Sequence, residues 1–226
     1  MTLLTIRDFG ACGDGRTPAT VAFQEALAAI KKAGGGQLHV PPGTYRCGTL
    51  ELVDNLVLDL APGAVLMASP DLGDYPEYTG GHNKDRQPYH FLVADGLRNV
   101  VLRGGGCLDG NGPAFWHPEP TPPFGWYREN SARPSPMLEI RGCRDVRLQG
   151  ITIRNSPGWT VHLHACDNVR VIDVDLLNDL FGPNTDGLDI NGSHDVVIRG
   201  CRIRCGDDAV VLKTTPDSRT STTSTS

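Results

Sequence analysis

Asn168-Val-Arg-Val-Ile-Asp173 and Asp195-Val-Val-Ile-Arg-Gly200 share one pattern: an Asn or Asp, then alternating apolar residues, then a turn residue. The pattern recurs at Asn55-Leu-Val-Leu-Asp-Leu60, Asn99-Val-Val-Leu-Arg-Gly104 and Asp145-Val-Arg-Leu-Gln-Gly150. The starts differ by 44, 46, 23 and 27 residues, which reads as two double steps and two single steps. A second short strand follows in several units: Ile151-Thr-Ile153, Val174-Asp-Leu176 and Cys201-Arg-Ile203. A third follows at Val161-His-Leu163, Leu188-Asp-Ile190 and Val210-Val-Leu212. Alternation with period two marks strands with one apolar face. Three such strands in ~23 residues cannot each find a hairpin partner, but they can coil and stack on the next copy. The expected fold is therefore all-β, a parallel β-helix. A β-sandwich would show turn signals without this self-similarity. Val169, Val171, Leu188, Ile190, Val196, Ile198, Val210 and Leu212 are expected inside. Gly142-Cys143, Ala165-Cys166 and Gly192-Ser193 fall at equivalent turns.

A helix interrupts the pattern early. Thr17 to Gly34 places Phe23, Ala26, Leu27 and Ile30 on one face, with Lys31 and Lys32 in the last turn and Gly34 as the stop. A solenoid needs its open end covered, and this helix is the natural N-terminal cap. Residues 70–90, with Tyr75, Tyr78 and Tyr89, and residues 111–136, with Trp116 and Trp126, break the ladder. Both read as loops projecting from one rim, serving either packing or binding. The expected organisation is a β-helix over residues 1–213 and a polar, low-complexity tail over 214–226.

Composition narrows the function classes. The 226 residues carry a net charge of −5, which argues against a nucleic-acid groove. No apolar run approaches the ~20 residues of a membrane span. Glycine, 27 residues, exceeds the usual ~7% without a collagen period, so it serves turns. Seven cysteines without a CxxC pair read as buried free thiols. The N-terminus has no charged region followed by an apolar one, so no signal peptide is seen. A cytoplasmic setting is expected, or a secreted one if the N-terminus was trimmed.

The chemistry-bearing residues are Asn184-Thr-Asp-Gly187 and Gly206-Asp-Asp208. Matching Leu188 to Val210 and Ile190 to Leu212 sets Asp186 against Asp208, one coil apart. Coils lie ~4.8 Å apart, so Asp186, Asp207 and Asp208 converge. Carboxyls that close repel, and at least one should hold its proton more tightly. That suits acid/base hydrolysis, in which one carboxyl is protonated and another ionised. Asx turns at coil corners, or a calcium site, are the other readings of these residues.

These two motifs resemble the first two signatures of glycoside hydrolase family 28, the polygalacturonases. Asp8-Phe-Gly-Ala-Cys-Gly-Asp-Gly15, Val40-Pro-Pro-Gly-Thr-Tyr45 and Asn155-Ser-Pro-Gly-Trp-Thr-Val-His162 agree with it, in the right order. The resemblance spans about residues 4–215. It implies a right-handed parallel β-helix and inverting hydrolysis of galacturonosyl bonds in pectin or pectic oligosaccharides. It implies Asp207 as general acid, and Asp186 and Asp208 as the groups that activate water. An inverting pair is normally ~6.5–9.5 Å apart. The resemblance implies no metal and no organic cofactor. The family continues with Gly-His-Gly and Arg-x-Lys, whereas here Lys213 is followed by Thr214 to Ser226, without an apolar residue. A truncated product with an uncovered last rung and little hydrolytic activity is therefore expected.

If Leu188 and Ile190 face inward, Asp189, Asn191, His162, His164 and Lys213 face outward. Lys213 is a candidate for holding a substrate carboxylate, or a solvated surface lysine. His162 and Asn184 are candidate ligand contacts. Trp159 aligns with Asp186 and either stacks on sugar or packs. Two other functions fit the scaffold: a calcium-dependent, pectate-lyase-like enzyme and a non-catalytic sugar-binding β-helix fragment.

Overall fold

The computed structural model describes residues 2–79, 87–123, 125–130 and 132–214. The strands form three sheets, of seven, seven and six strands, in which each strand pairs with its counterpart one coil away. Every pairing between these strands is parallel. The molecule is a right-handed parallel β-helix.

The Asn/Asp repeats make the first sheet. Leu38, Leu58, Leu102, Leu148 and Val171 stand in one column, each in register with the next. All five are at most 1% exposed. Burying each side chain contributes ~1.5–3 kcal/mol, and the column repeats the contribution coil after coil. The repeat's opening residue has a backbone reason. Asn55, Asn99, Asp145, Asn168 and Asp195 all have φ between 51° and 60°. After glycine, Asn and Asp tolerate this left-handed corner best. Asn99 Nδ2 also donates to Asn55 Oδ1 at 2.8 Å, so the corners bond to one another.

One expectation is corrected. Leu56–Leu60 pairs directly with Arg98–Gly104, and that strand pairs directly with Arg144–Gln149. The 44- and 46-residue steps are thus single coils, not double ones. Most of their extra length lies in the two stretches 70–90 and 111–136. Sequence spacing counts residues, whereas strand pairing counts height.

Val169, Val171, Leu188 and Ile190 are buried, as expected, while Val196 and Ile198 are half-buried. Val210 and Leu212 keep the expected register but are 43% and 79% exposed, because no described rung stacks over them. The helix spans Thr20–Lys32 and buries Ala22, Phe23, Ala26, Leu27 and Ile30. It starts three residues later than expected because Asp14–Pro18 pairs with Gly43–Cys47 as a strand. Phe23 meets Tyr45 edge-on at 6.1 Å, seating the helix over the first coil.

All seven cysteines are free; Cys47, Cys143 and Cys166 are buried, Cys12 is exposed and the rest are intermediate. Cys143, Cys166 and Ser193 occupy one corner slot on successive coils. Each donates to a carbonyl of the coil before: Ala94, Ile140 and Leu163, at 3.4, 3.3 and 3.0 Å. Of the expected tail, residues 215–226 lie outside the described residues. Among the described residues, no helix is long and apolar enough to cross a membrane.

Candidate active site

Asp186 precedes the strand Leu188–Asn191, and Asp207 and Asp208 precede Val210–Lys213. Backbone bonds fix their heights. Gly187 N–H donates to the Asp208 carbonyl at 2.9 Å, and Thr160 N–H to the Asp186 carbonyl at 3.0 Å. One carboxylate oxygen from each of Asp186, Asp207 and Asp208 lies within 4.8 Å of the others. The expected convergence is therefore present.

The three acids differ in surroundings. Asp186 is 5% exposed, and its Oδ1 has no hydrogen-bond partner among the described residues. Burial, and then the charges of Asp189 and Asp207, push its pKa up to about 7. Asp207 and Asp208 are exposed. The proton-retaining carboxyl is therefore Asp186, whereas the sequence resemblance gives the acid role to Asp207.

Buried groups brace these carboxyls. The Asn178 side chain accepts from Ser156 N–H at 2.9 Å and donates to Thr160 Oγ1 at 2.6 Å and to the Thr185 carbonyl at 3.2 Å. Thr185 Oγ1 accepts from Gly206 N–H at 2.9 Å, tying the two acidic motifs together. Gly206 is obligatory on steric grounds: a Cβ there would lie 2.7 Å from both the Gly182 carbonyl and Thr185 Oγ1. Asn184, at φ 49°, donates from Nδ2 to Asp207 Oδ2 and accepts on Oδ1 from Arg133 Nη2, both at 3.5 Å. Sequence reasoning missed Asn178 and Arg133. Neither sits in a repeat position that marks chemistry, and Arg133 arrives from the 111–136 stretch.

The outward face of the third sheet is covered rather than open. His162 and Asp189 are 0% exposed. His162 Nδ1 lies 2.8 Å from Glu139 Oε2, so His162 sits beneath the surface instead of on it. Lys213 donates to Asp189 Oδ1 at 2.7 Å and lies 3.5 Å from the centre of the Trp159 ring. It is a paired cation, not a solvated one. Burial raises the Asp189 pKa, and Lys213 opposes the rise. Trp159 is 9% exposed, and its ring also meets His162 at 5.8 Å. Asp186, Asp207, Asp208 and Asn184 thus form one surface, with Trp159 and Lys213 beside it and His162 below.

A cavity of about 280 Å³ opens next to Asp207, lined by Trp126, Tyr127, Glu129, Phe181 and Asn184 among others. Among the described residues, three clusters bring metal-ligating atoms within 4.8 Å of one another: the three site acids, Glu139 with His162 and His164, and Asp167 with His194 and Asp195.

A sequence model of the glycosyl hydrolases family 28 matches residues 76–221. The chain belongs to this family. A second model, rhamnogalacturonase A/epimerase, pectate lyase-like, matches residues 4–58 of the family 28 chain. A probable polygalacturonase of Vitis vinifera is 32% identical over 217 residues, 91% of this chain and 43% of that protein. The family 28 exopolygalacturonase of Yersinia enterocolitica superposes with a TM-score of 0.79 at 25% identity, over 93% of this chain and 44% of that one. The hyperthermoactive exopolygalacturonase of Thermotoga maritima gives 0.76 at 26% identity, over 94% and 55%. The family 28 chain therefore spans about half the length of these relatives.

Proposed function

We propose that this chain carries the acid cluster of a glycoside hydrolase that cleaves galacturonosyl linkages in pectin or pectic oligosaccharides with inversion. The observation carrying the proposal is the trio of close carboxyls with one proton-retaining member. Below about pH 7 the trio holds a proton on Asp186. An Asp207 oxygen lies within 4.8 Å of an Asp186 oxygen, close enough to take that proton over when substrate enters. Asp207 then protonates the leaving glycosidic oxygen. Water, held by ionised Asp186 and Asp208, attacks the anomeric carbon from the opposite side and gives them its proton. The bond to the leaving sugar breaks, and the new hydroxyl is inverted. Asn184, reaching both Asp207 and Arg133, keeps the acid oriented.

The test is reducing-end release from polygalacturonate, with Asp207→Asn as the blank so that slow turnover is still readable. NMR of the first product reads its anomeric configuration. Release that Asp207→Asn abolishes, with an inverted product, supports the reading. An unsaturated product absorbing in the ultraviolet, lost on chelation, would instead make this a calcium-dependent lyase.

A further inference from the structure

The cavity beside Asp207 is built by two segments. Trp126, Tyr127 and Glu129 come from the 111–136 stretch, and Phe181 to Asn184 from the loop that leads into Asp186. The walls are joined: Tyr127 N–H donates to the Phe181 carbonyl at 2.9 Å. They are also stiff. The Trp116 ring stacks on Tyr127 at 5.6 Å, and its Nε1 donates to the Pro157 carbonyl at 2.9 Å. At about 280 Å³ the space falls just below the ~300–1,000 Å³ of sites for drug-sized ligands. It suits one sugar ring rather than a run of them.

The lining has two chemical properties. It is aromatic: Trp126 is 59% exposed and Phe181 48%, large apolar surfaces left in water beside a reactive site. It is also negative. Glu129 and Asp207 line it, and Asp179 Oδ1 accepts the Phe181 N–H at 2.8 Å behind one wall. The guanidinium of Arg133 lies 3.9 Å from Glu129 and only partly offsets these charges. A free carboxylate entering here meets like charge in a partly desolvated space, which is a device for discrimination. An uncharged pyranose face meets the rings.

We infer that this cavity is a subsite for an uncharged sugar unit adjoining the scissile bond, with Trp126 and Phe181 as its stacking surfaces and Glu129 as the group that turns away a free carboxylate. The inference rests on the hydrolase reading above. A methyl-esterified uronate and a neutral sugar such as rhamnose share this chemistry.

The test is calorimetric binding to an Asp186→Asn chain, which keeps Asp207 and Glu129. The probes are trigalacturonate, its methyl ester and a rhamnose-containing pectic trisaccharide. At least one uncharged-unit ligand should bind about tenfold tighter than trigalacturonate, and the tighter of the two names the source. Glu129→Gln should shrink that ratio to about threefold or less. Trp126→Ala and Phe181→Ala should each weaken the uncharged ligand about tenfold. Both side chains are exposed, and circular dichroism checks that the variants fold. Trigalacturonate binding at least as tightly as the others overturns the inference and leaves the hydrolase reading standing. So does binding that neither aromatic substitution alters. If no probe binds, the hydrolase reading falls, and the subsite with it.

Discussion

Lys213 Nζ lies 2.7 Å from Asp189 Oδ1, on a carboxylate with no exposed surface. A buried acid beside a second buried acid, Asp186, is tolerated because this ammonium pairs with Asp189, and its charge also opposes the rise in the Asp186 pKa. Lys213→Met should leave Asp189 buried and unpaired, costing about 3 kcal/mol. The Lys213→Met/Asp189→Asn double variant should recover most of that loss. Denaturant midpoints for the four proteins check this, and additive losses would refute the pairing.

Asp186 sets a pH dependence of stability. Its pKa is raised from the ordinary 3.8 to about 7 in the fold. The folded state therefore binds this proton more tightly than the unfolded chain does. Its stabilising contribution is complete below about pH 4 and is lost as pH rises through about 7. Asp186→Asn removes the titration. The variant should be more stable than the parent at pH 8, by an amount on the order of a few kcal/mol. The two stability curves should close toward each other between pH 7 and 4. Parallel curves across that window would sink the assignment.

Gly206→Ala should damage both stability and the site. The added Cβ would meet backbone and a buried hydroxyl at 2.7 Å, not a side chain that can swing away. Overpacking of this kind costs ~1–3 kcal/mol. Because Gly206 precedes Asp207, oligosaccharide affinity should fall along with the denaturant midpoint.

Asn178 is 1% exposed and binds three partners that flank the site. Asn178→Leu keeps the branched shape, with bulkier methyl groups, but strands Ser156 N–H and the Thr160 hydroxyl. Each unmet buried polar group costs ~1–3 kcal/mol. Thermal unfolding should show a loss larger than that of Asn168→Ala at a part-buried corner.

The β-helix was legible because its interior is a ladder of like residues. Leu148, Val171 and Ile198 repeat at matching points of the pattern and stand in register in space. Asp186 and Asp208 were legible for the same reason, since strands that pair carry their flanking residues with them. The 44-residue step was misread because nothing in a residue count distinguishes two coils from one coil with a long excursion. Arg133 and the Trp126 cavity were hidden for that reason too, as excursions follow no period. His162 and Asp189 read as outward-facing, which they are. Their burial comes from Trp159 packed against His162 and Lys213 seated on Asp189, and alternation reports only which side of a strand a residue takes.

The corner residues from Asn55 to Asp195 have a consequence for how such a molecule can change. Each left-handed corner restarts the next strand at a set height, whatever the chain has done since the previous one. Lineages can therefore lengthen or shorten the segment between two corners while the acids stay where they are. Twenty extra residues between Leu60 and Arg98 disturb the spacing of Asp186 and Asp208 no more than none would. Ligand preference can drift through these insertions while the chemistry is inherited intact.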